Sequence, residues 1–385
     1  MAQESTFNTK SVAIIGAGPA GCICARTLLD FGIIPTIFEK GQPLRTILPT
    51  GGGRCNISHA QYDFKELAKN YPRGEKFLYS VFSRFGVAHT VEFFEKIGIQ
   101  TYTQSDNRIF PISNSSAEVQ QKLLNAITKS KIIKEEVISV NKLDNCYKIQ
   151  TNKSSYAFDI VVIATGGHAN FNIIKGIEII EPTQSLVGLV TEEDFSNLAG
   201  ASIKNVIYKN ITGDILFTHK GVSGPLIYKI SSLKARDSIP YDLTLQLANL
   251  KNLQESLNDN PHKEIKNQLG KYVPKAVAQY ILNNLGIDLQ TPAHKINGKM
   301  RDLIIDKLEN FKITIKAKVP DGEVVTAGGI DLKEINSKTM EAKKFPNLIF
   351  CGEILDIDGF CGGFNLQNCW STGYIAAKTV SEKFT

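Results

Sequence analysis

Ser11-Val12-Ala13-Ile14-Ile15-Gly16-Ala17-Gly18-Pro19-Ala20-Gly21 decides the fold of this chain. A short apolar run enters a G-x-G-x-x-G, Cys22–Phe31 follows with helical spacing up to Gly32, and Pro35–Phe38 is a second apolar run that closes in Glu39. A strand, a helix and a strand within about 30 residues is the context in which such a glycine motif reads as a dinucleotide-binding turn. The three glycines differ in what they make possible. Gly16 permits the tight turn, Gly18 lets backbone approach a pyrophosphate, and Gly21 lets helix and strand pack closely. The N-terminus of the helix then offers unpaired N–H groups and the positive end of its dipole to the phosphates. Glu39, 18 residues after Gly21, is placed to accept hydrogen bonds from a ribose, and its charge favours a free 2′-hydroxyl over a 2′-phosphate.

Working outward, Tyr62 to Lys131 reads as helical and connecting, with amphipathic stretches at Phe77–Phe85 and Val91–Ile97. Val137–Val140 and Tyr147–Thr151 read as strands paired around Asp144-Asn145, followed by the apolar strand Asp159–Ala164 and the turn Thr165-Gly166-Gly167. Beyond Pro182 the runs are short and β-like: Leu186–Val190, Val206–Ile211, Asp214–Phe217 and Leu243–Leu247. Residues 251–312 carry helical periodicity, as at Val277–Leu285 and Met300–Leu308, and Lys312–Val319 is β-like again. After Thr326 the glycine-rich, strand-then-helix style of the start returns. The expectation is an α/β protein with a Rossmann-like nucleotide domain split between both chain ends (1–187 and 326–385). A β-barrel insert (188–250, returning at 313–325) would itself carry a helical insert (251–312).

Three further segments select the dinucleotide. Gly51-Gly52-Gly53-Arg54-Cys55-Asn56 lies where the chain emerges beside the pyrophosphate and ring system, and Ala164-Thr165-Gly166-Gly167 is a second backbone approach. Leu348–Cys351 ends in Gly352-Glu353, a carboxylate suited to ribityl hydroxyls, which only a flavin possesses. Gly362-Gly363-Phe364-Asn365 then opens a last helix through Ala377, whose positive end suits the side of a flavin that gains negative charge on reduction. No second G-x-G-x-x-G follows a strand after residue 60, so a nicotinamide donor would visit only transiently.

The 385 residues are 42% hydrophobic and 21% charged, with a mean hydropathy of −0.10. This excludes a disordered, collagen-like or disulfide-dense chain. No run reaches the ~18 apolar residues of a membrane span, and Met1–Lys10 is too polar for a signal peptide, so a soluble cytoplasmic protein is expected. The seven cysteines lack C-x-x-C and metal-finger spacing and read as reduced thiols, with no metal assigned. The formal charge is +6, but residues 251–318 hold twelve Lys/Arg against seven Asp/Glu, leaving +1 for the other 317 residues. Lys263, Lys266, Lys271 and Lys275 of this segment are candidate phosphate contacts. A solvated face in a chain whose 44 basic residues include 36 lysines explains the same numbers.

Gly51-Gly52-Gly53-Arg54-Cys55-Asn56-Ile57-Ser58, Arg108-Ile109-Phe110-Pro111, Phe217 to Pro225 (F-T-H-K-G-V-S-G-P), Thr326-Ala327-Gly328-Gly329-Ile330 and Cys351 to Gly359 followed by Gly362 to Gln367 together resemble the BaiN/YhiN-type flavoproteins. That family includes aminoacetone oxidases, enzymes acting on steroid enones and ribosomal-RNA dihydrouridine synthases. The resemblance runs from about residue 11 to 381 and implies non-covalent FAD. Carried over position by position, the implied cofactor contacts are Gly16, Gly18, Glu39, Gly52, Arg54, Cys55, Gly166, Gly352, Glu353 and Asn365. The expected set extends to Pro19, Ala20, Lys40, Gly53, Val137, Ala164, Thr165, Gly328, Asp356, Gly363, Phe364 and Leu366. His59, where the family commonly has Asn, and Lys220, where it has an apolar or aromatic residue, depart from the pattern.

A flavin carries hydride chemistry at N5, so the protein must supply protons and donors for a substrate oxygen. Cys55 is the first candidate acid, with Arg54 beside it to lower its pKa; the competing reading is a small packed residue. His219, in a turn of the β-insert, and Cys361, before the last helix, are further candidates against structural and packing roles. Cys22 and Cys24 read as core. Three functions stay open: reduction of a nucleobase double bond in ribosomal RNA with NAD(P)H as donor, small-molecule flavin chemistry on an amine or enone, and a non-catalytic flavin-bound RNA-binding or redox-sensing protein.

Overall fold

The computed structural model describes residues 10–168, 171–320, 322 and 325–384; the polar opening stretch 1–9 lies outside them. Contacts divide the chain into two units, 1–183 with 325–385, and 184–324.

The first unit is built on five parallel strands in the order Leu348–Phe350, Ile160–Ile163, Val12–Ile15, Thr36–Phe38, Lys131–Ile133. Val12–Ile15, Ile160–Ile163 and Leu348–Phe350 are buried at every position, which is why they read as unbroken apolar runs rather than alternating ones. Lys131–Ile133 escaped the sequence reading because it is a three-residue edge strand with Lys131 and Ile132 exposed. The helix Pro19–Asp30 lies against the last helix, Phe364–Glu382, at backbone distance. A Cβ on Gly373 would stand 2.4 Å from the Ala20 carbonyl oxygen and 2.6 Å from Ile23. The hairpin read around Asp144-Asn145 is present, with Val137 opposite Thr151 and Val140 opposite Ile149, and Ser155–Phe158 adds a third strand.

In the second unit six antiparallel strands run in the order Ser202–Tyr208, Ile211–Thr218, Gly221–Ser223, Leu189–Thr191, Phe311–Lys318, Tyr241–Leu245. The outer strands meet where Ile207 and Gln246 exchange two backbone hydrogen bonds, of 3.0 and 2.9 Å, so the sheet curls towards closure. The run Val206–Ile211 is not one strand: the chain turns at Lys209, which has φ +54°. Helices Leu253–Asp259, Ile265–Leu269, Lys275–Asn284 and Gly298–Glu309 bury Leu253, Val277, Ile281, Ile304 and Leu308 in the same core as Phe217, Leu243, Phe311 and Ile313 of the sheet. Sheet and helices therefore form one body and not two modules. An apolar helical face needs a partner, and here the sheet provides it.

Candidate dinucleotide site

The glycine loop leaves the first strand into the first helix. Gly16 has φ +103°, and a Cβ there would stand 2.4 Å from the Ala164 carbonyl oxygen; one on Gly21 would stand 2.0 Å from the Gly16 carbonyl oxygen. These two glycines are required by the packing of protein on protein. A Cβ on Gly18 would meet no protein atom within 4 Å, so the space before it is open. Gly18 caps the helix without a side-chain acceptor, and Pro19 has no N–H, which leaves the N–H groups of Ala20 and Gly21 for a ligand. Glu39 pins this loop: its carboxylate accepts hydrogen bonds from the amides of Ala17 at 2.8 Å and Gly41 at 2.7 Å. Lys40 pairs on the surface with Glu136 at 3.2 Å, and Val137 opens the neighbouring hairpin.

Ala164-Thr165-Gly166-Gly167 abuts this loop through Gly16. Gly166 faces open space, whereas a Cβ on Gly167 would stand 2.7 Å from Thr326 and 3.0 Å from the Glu353 carboxyl carbon. Glu353 accepts hydrogen bonds from the amides of Thr326, at 2.9 Å, and Gly167, and burial raises its pKa above the usual carboxylate range. Asp356 accepts from the Gly328 amide at 3.1 Å. Gly352 sits against Ala20, where a Cβ would be 2.8 Å from the alanine methyl, and donates its N–H to Thr372 at 2.9 Å. Glu39, Glu353 and Asp356, read from sequence as ligand contacts, thus also knit the glycine segments together. Thr326 was not among the expected site residues, and its amide proves to be a support for Glu353.

Gly52 and Gly53 likewise face open space, while Gly51 is pressed against Phe110. Arg54 donates from Nε to the Gly51 carbonyl at 3.0 Å and lays its guanidinium 4.3 Å from the centre of the Phe110 ring. It is therefore not the activator of Cys55 that the sequence suggested. The Cys55 thiol is fully buried, and burial pushes its pKa up to about 12 against a weaker lowering by its hydrogen bond with Thr50. Cys22 and Cys24 are buried in the first helix.

The last helix begins at Gly363 without a side-chain cap, so Phe364, Asn365 and Leu366 present amides outward. The turn before it is tied down by side chains. Asn365 accepts from the Gly359 amide and donates to its carbonyl, both at 2.8 Å, so its side-chain amide is oriented by the loop. His59 bonds through Nδ1 to the Gly362 carbonyl at 3.1 Å and stacks on Phe364 at 4.6 Å. Tyr71 donates to the Phe364 carbonyl at 2.6 Å. Arg73 and Asp358, with side chains 11% and 0% exposed, form a two-pronged ion pair. Gln367, fully buried, accepts from Ser58 and donates to Thr90 and Ser371. No local pattern announces the partners of His59, Tyr71, Arg73, Ser58 and Thr90, which are hundreds of residues away. Cys361 is exposed on the same turn. His219 and Lys220 are exposed in the turn between Ile211–Thr218 and Gly221–Ser223 of the second unit.

Residues 10–379 match the HI0933-like protein Rossmann domain family. The chain belongs to that family. It is similar, at 28% identity over 95% of this chain and 97% of the relative, to a protein of Escherichia coli named ribosomal RNA dihydrouridine synthase. It is also similar, at 26% identity over 97% of this chain and 99% of the relative, to a 3-dehydro-bile acid delta(4,6)-reductase of Clostridium scindens. Among solved structures, the open conformation of a flavocytochrome c3 fumarate reductase shares the fold, with a TM-score of 0.51 and 13% identity over 99% of this chain and 79% of that one. As a member of the HI0933-like family the chain is an FAD-dependent oxidoreductase. The residues present fit FAD: Gly18, Gly52, Gly53 and Gly166 each leave the room a Cβ would fill, and two helices of 12 and 19 residues begin uncapped. Among the described residues no helix is long and apolar enough to cross a membrane.

Proposed function

We propose that this enzyme reduces a carbon–carbon double bond conjugated to a carbonyl, that its substrate is a uracil ring of ribosomal RNA, and that NAD(P)H is the visiting reductant. The observation that carries the reading is the end-to-end similarity to proteins named ribosomal RNA dihydrouridine synthase, which extends over 95% of this chain. FAD, when bound, supplies hydride transfer at N5. Gly18 and Gly52 to Gly53 would give it backbone room, the amides of Ala20 and Gly21 would hold its phosphates, and Glu39 and Glu353 would accept from its ribose and ribityl hydroxyls. The uncapped start of the last helix stabilises negative charge that develops beside it.

Reduction also needs a proton for the second carbon. Cys55 is fully buried, so the role passes to Cys361, which is exposed on the turn that His59 anchors. Ribosomal RNA from a strain lacking the gene, digested to nucleosides and weighed, is expected to lose a dihydrouridine that the wild-type gene restores. An unchanged nucleoside profile overturns the reading. Such a substrate places the enzyme in the cytoplasm. The second reading, a small-molecule enone reductase, is favoured by the similarity to the bile-acid reductase. It predicts turnover of a steroid enone by the purified holoenzyme with no RNA present.

A further inference from the structure

We infer that the second unit carries a nucleic-acid docking surface made of two His-Lys pairs, His262-Lys263 and His294-Lys295, and that its ligand is an unpaired segment of structured RNA. The inference rests on the proposed RNA substrate and names where, outside the dinucleotide site, that substrate would be held.

The two dipeptides are 32 residues apart in sequence and are brought side by side by a short antiparallel ladder. Glu264 bridges Pro292, the Ile265 amide donates to the Thr291 carbonyl, the Ala293 amide to the Lys263 carbonyl, and the His294 amide to the Pro261 carbonyl, each at 2.9 Å. The rings of His262 and His294 meet edge to face with centroids 5.4 Å apart. Nδ1 of His294 lies 2.7 Å from the Pro261 carbonyl. A carbonyl only accepts, so Nδ1 carries the proton and Nε2 is the ring's second polar atom. All four side chains are exposed.

The surrounding lysines show what is particular here. Lys266 is held by Glu264 at 3.0 Å with only 19% of its side chain exposed, and Lys271 donates to Ser256 at 3.0 Å. Of the four lysines singled out by sequence, these two are already engaged. Lys263 and Lys295 have no carboxylate or hydroxyl partner among the described residues, and the nearest acid in the ladder, Glu264, is taken by Lys266 and Asn267. Two uncompensated ammonium groups beside a pair of exposed aromatic rings match the chemistry of a single-stranded segment: lysines for phosphates, ring faces for bases.

The test uses full-length holoenzyme and unmodified ribosomal RNA transcribed in vitro, with binding followed over a range of salt. The double variant Lys263→Glu/Lys295→Glu is expected to bind about tenfold or more weakly at low salt and to lose roughly two from its log–log salt slope. The variant His262→Ala/His294→Ala is expected to weaken binding with its slope unchanged. Unaltered melting temperature and flavin content report that the fold is intact. Unchanged affinity in both variants overturns the surface, and so does an equal loss on duplex DNA of the same length, which would make it a general polyanion patch. If the deletion strain lacks dihydrouridine while both variants bind normally, only the surface fails. If the strain keeps its dihydrouridine, the proposed substrate fails, and absence of RNA binding by the parent protein removes the surface with it.

Discussion

Two helices of the first unit, Pro19–Asp30 and Phe364–Glu382, begin without a side-chain cap, and their N-termini are built in opposite ways. The loop before Pro19 is held mostly by main chain against main chain: Gly16 on Ala164, Gly21 on Gly16, and the Gly16 amide on the Phe38 carbonyl at 2.8 Å, with the Glu39 carboxylate on the Ala17 amide as its side-chain tie. The turn before Phe364 is held by side chains, His59, Tyr71 and Arg73 arriving from elsewhere in the chain and Asn365 reaching back from the helix itself. The first device asks chiefly for the absence of Cβ atoms at set spacing, with one carboxylate, Glu39, to tie it down. The second asks for particular partners, each with its own hydrogen bonds to satisfy.

The difference is broken most severely at Asp358. Its carboxylate is fully buried and paired with Arg73. Asp358→Ala would take this carboxylate from a guanidinium only 11% exposed, and such losses cost about 3–5 kcal/mol. Chemical denaturation of the purified variant should show that loss, and flavin should be released along with structure. On the other side of the comparison, Gly21→Ala places a methyl 2.0 Å from the Gly16 carbonyl oxygen. Overpacking of this kind costs roughly 1–3 kcal/mol or somewhat more. Gly18→Ala sharpens the contrast, because its methyl meets no protein atom within 4 Å and φ there is an ordinary −79°. The apoprotein should melt as the parent does, while flavin affinity measured by ultrafiltration falls about 10- to 100-fold, the equivalent of about 1–3 kcal/mol. Equal melting of the Gly18 and Gly21 variants would show that the open and packed glycines had been wrongly separated.

The same contrast explains what was legible in the sequence. Apolar runs gave the central strands because both faces of a parallel sheet are covered, and glycine spacing gave the loops because the constraint is local. Nothing local told that Asn365 would spend its amide on Gly359, since Asn at a helix start reads equally well as a ligand contact. Ser58 and Gln367 are 309 residues apart and Arg73 and Asp358 are 285 apart, so their pairing is a property of the assembled fold. The unity of sheet and helices in the second unit was hidden for a related reason. Periodicity shows that a helix has an apolar face but not which surface covers it.

Glu353 gives the smallest and most informative effect. Its side chain, like those of the second device, reaches main chain far away, accepting amides from Thr326 and Gly167 while burial raises its pKa above the ordinary 4.5. A group whose pKa is raised on folding contributes stability below its unfolded value and loses that contribution as pH climbs through its folded value. Above its raised folded value the apoprotein should therefore carry an ionised Glu353 at a cost. Glu353→Gln keeps an oxygen for Thr326 and removes the buried charge. The apoprotein variant should be more stable than the parent at pH 7 by up to about 1 kcal/mol. The gain should shrink as the pH falls through that raised value, where the parent carboxyl takes up its proton, and be gone by the ordinary 4.5. Melting curves across that range check the sign. A variant less stable than the parent at neutral pH would mean that the two amides hold the carboxylate more strongly than burial opposes it, and Glu353 would then belong wholly with the side-chain-built half of the site.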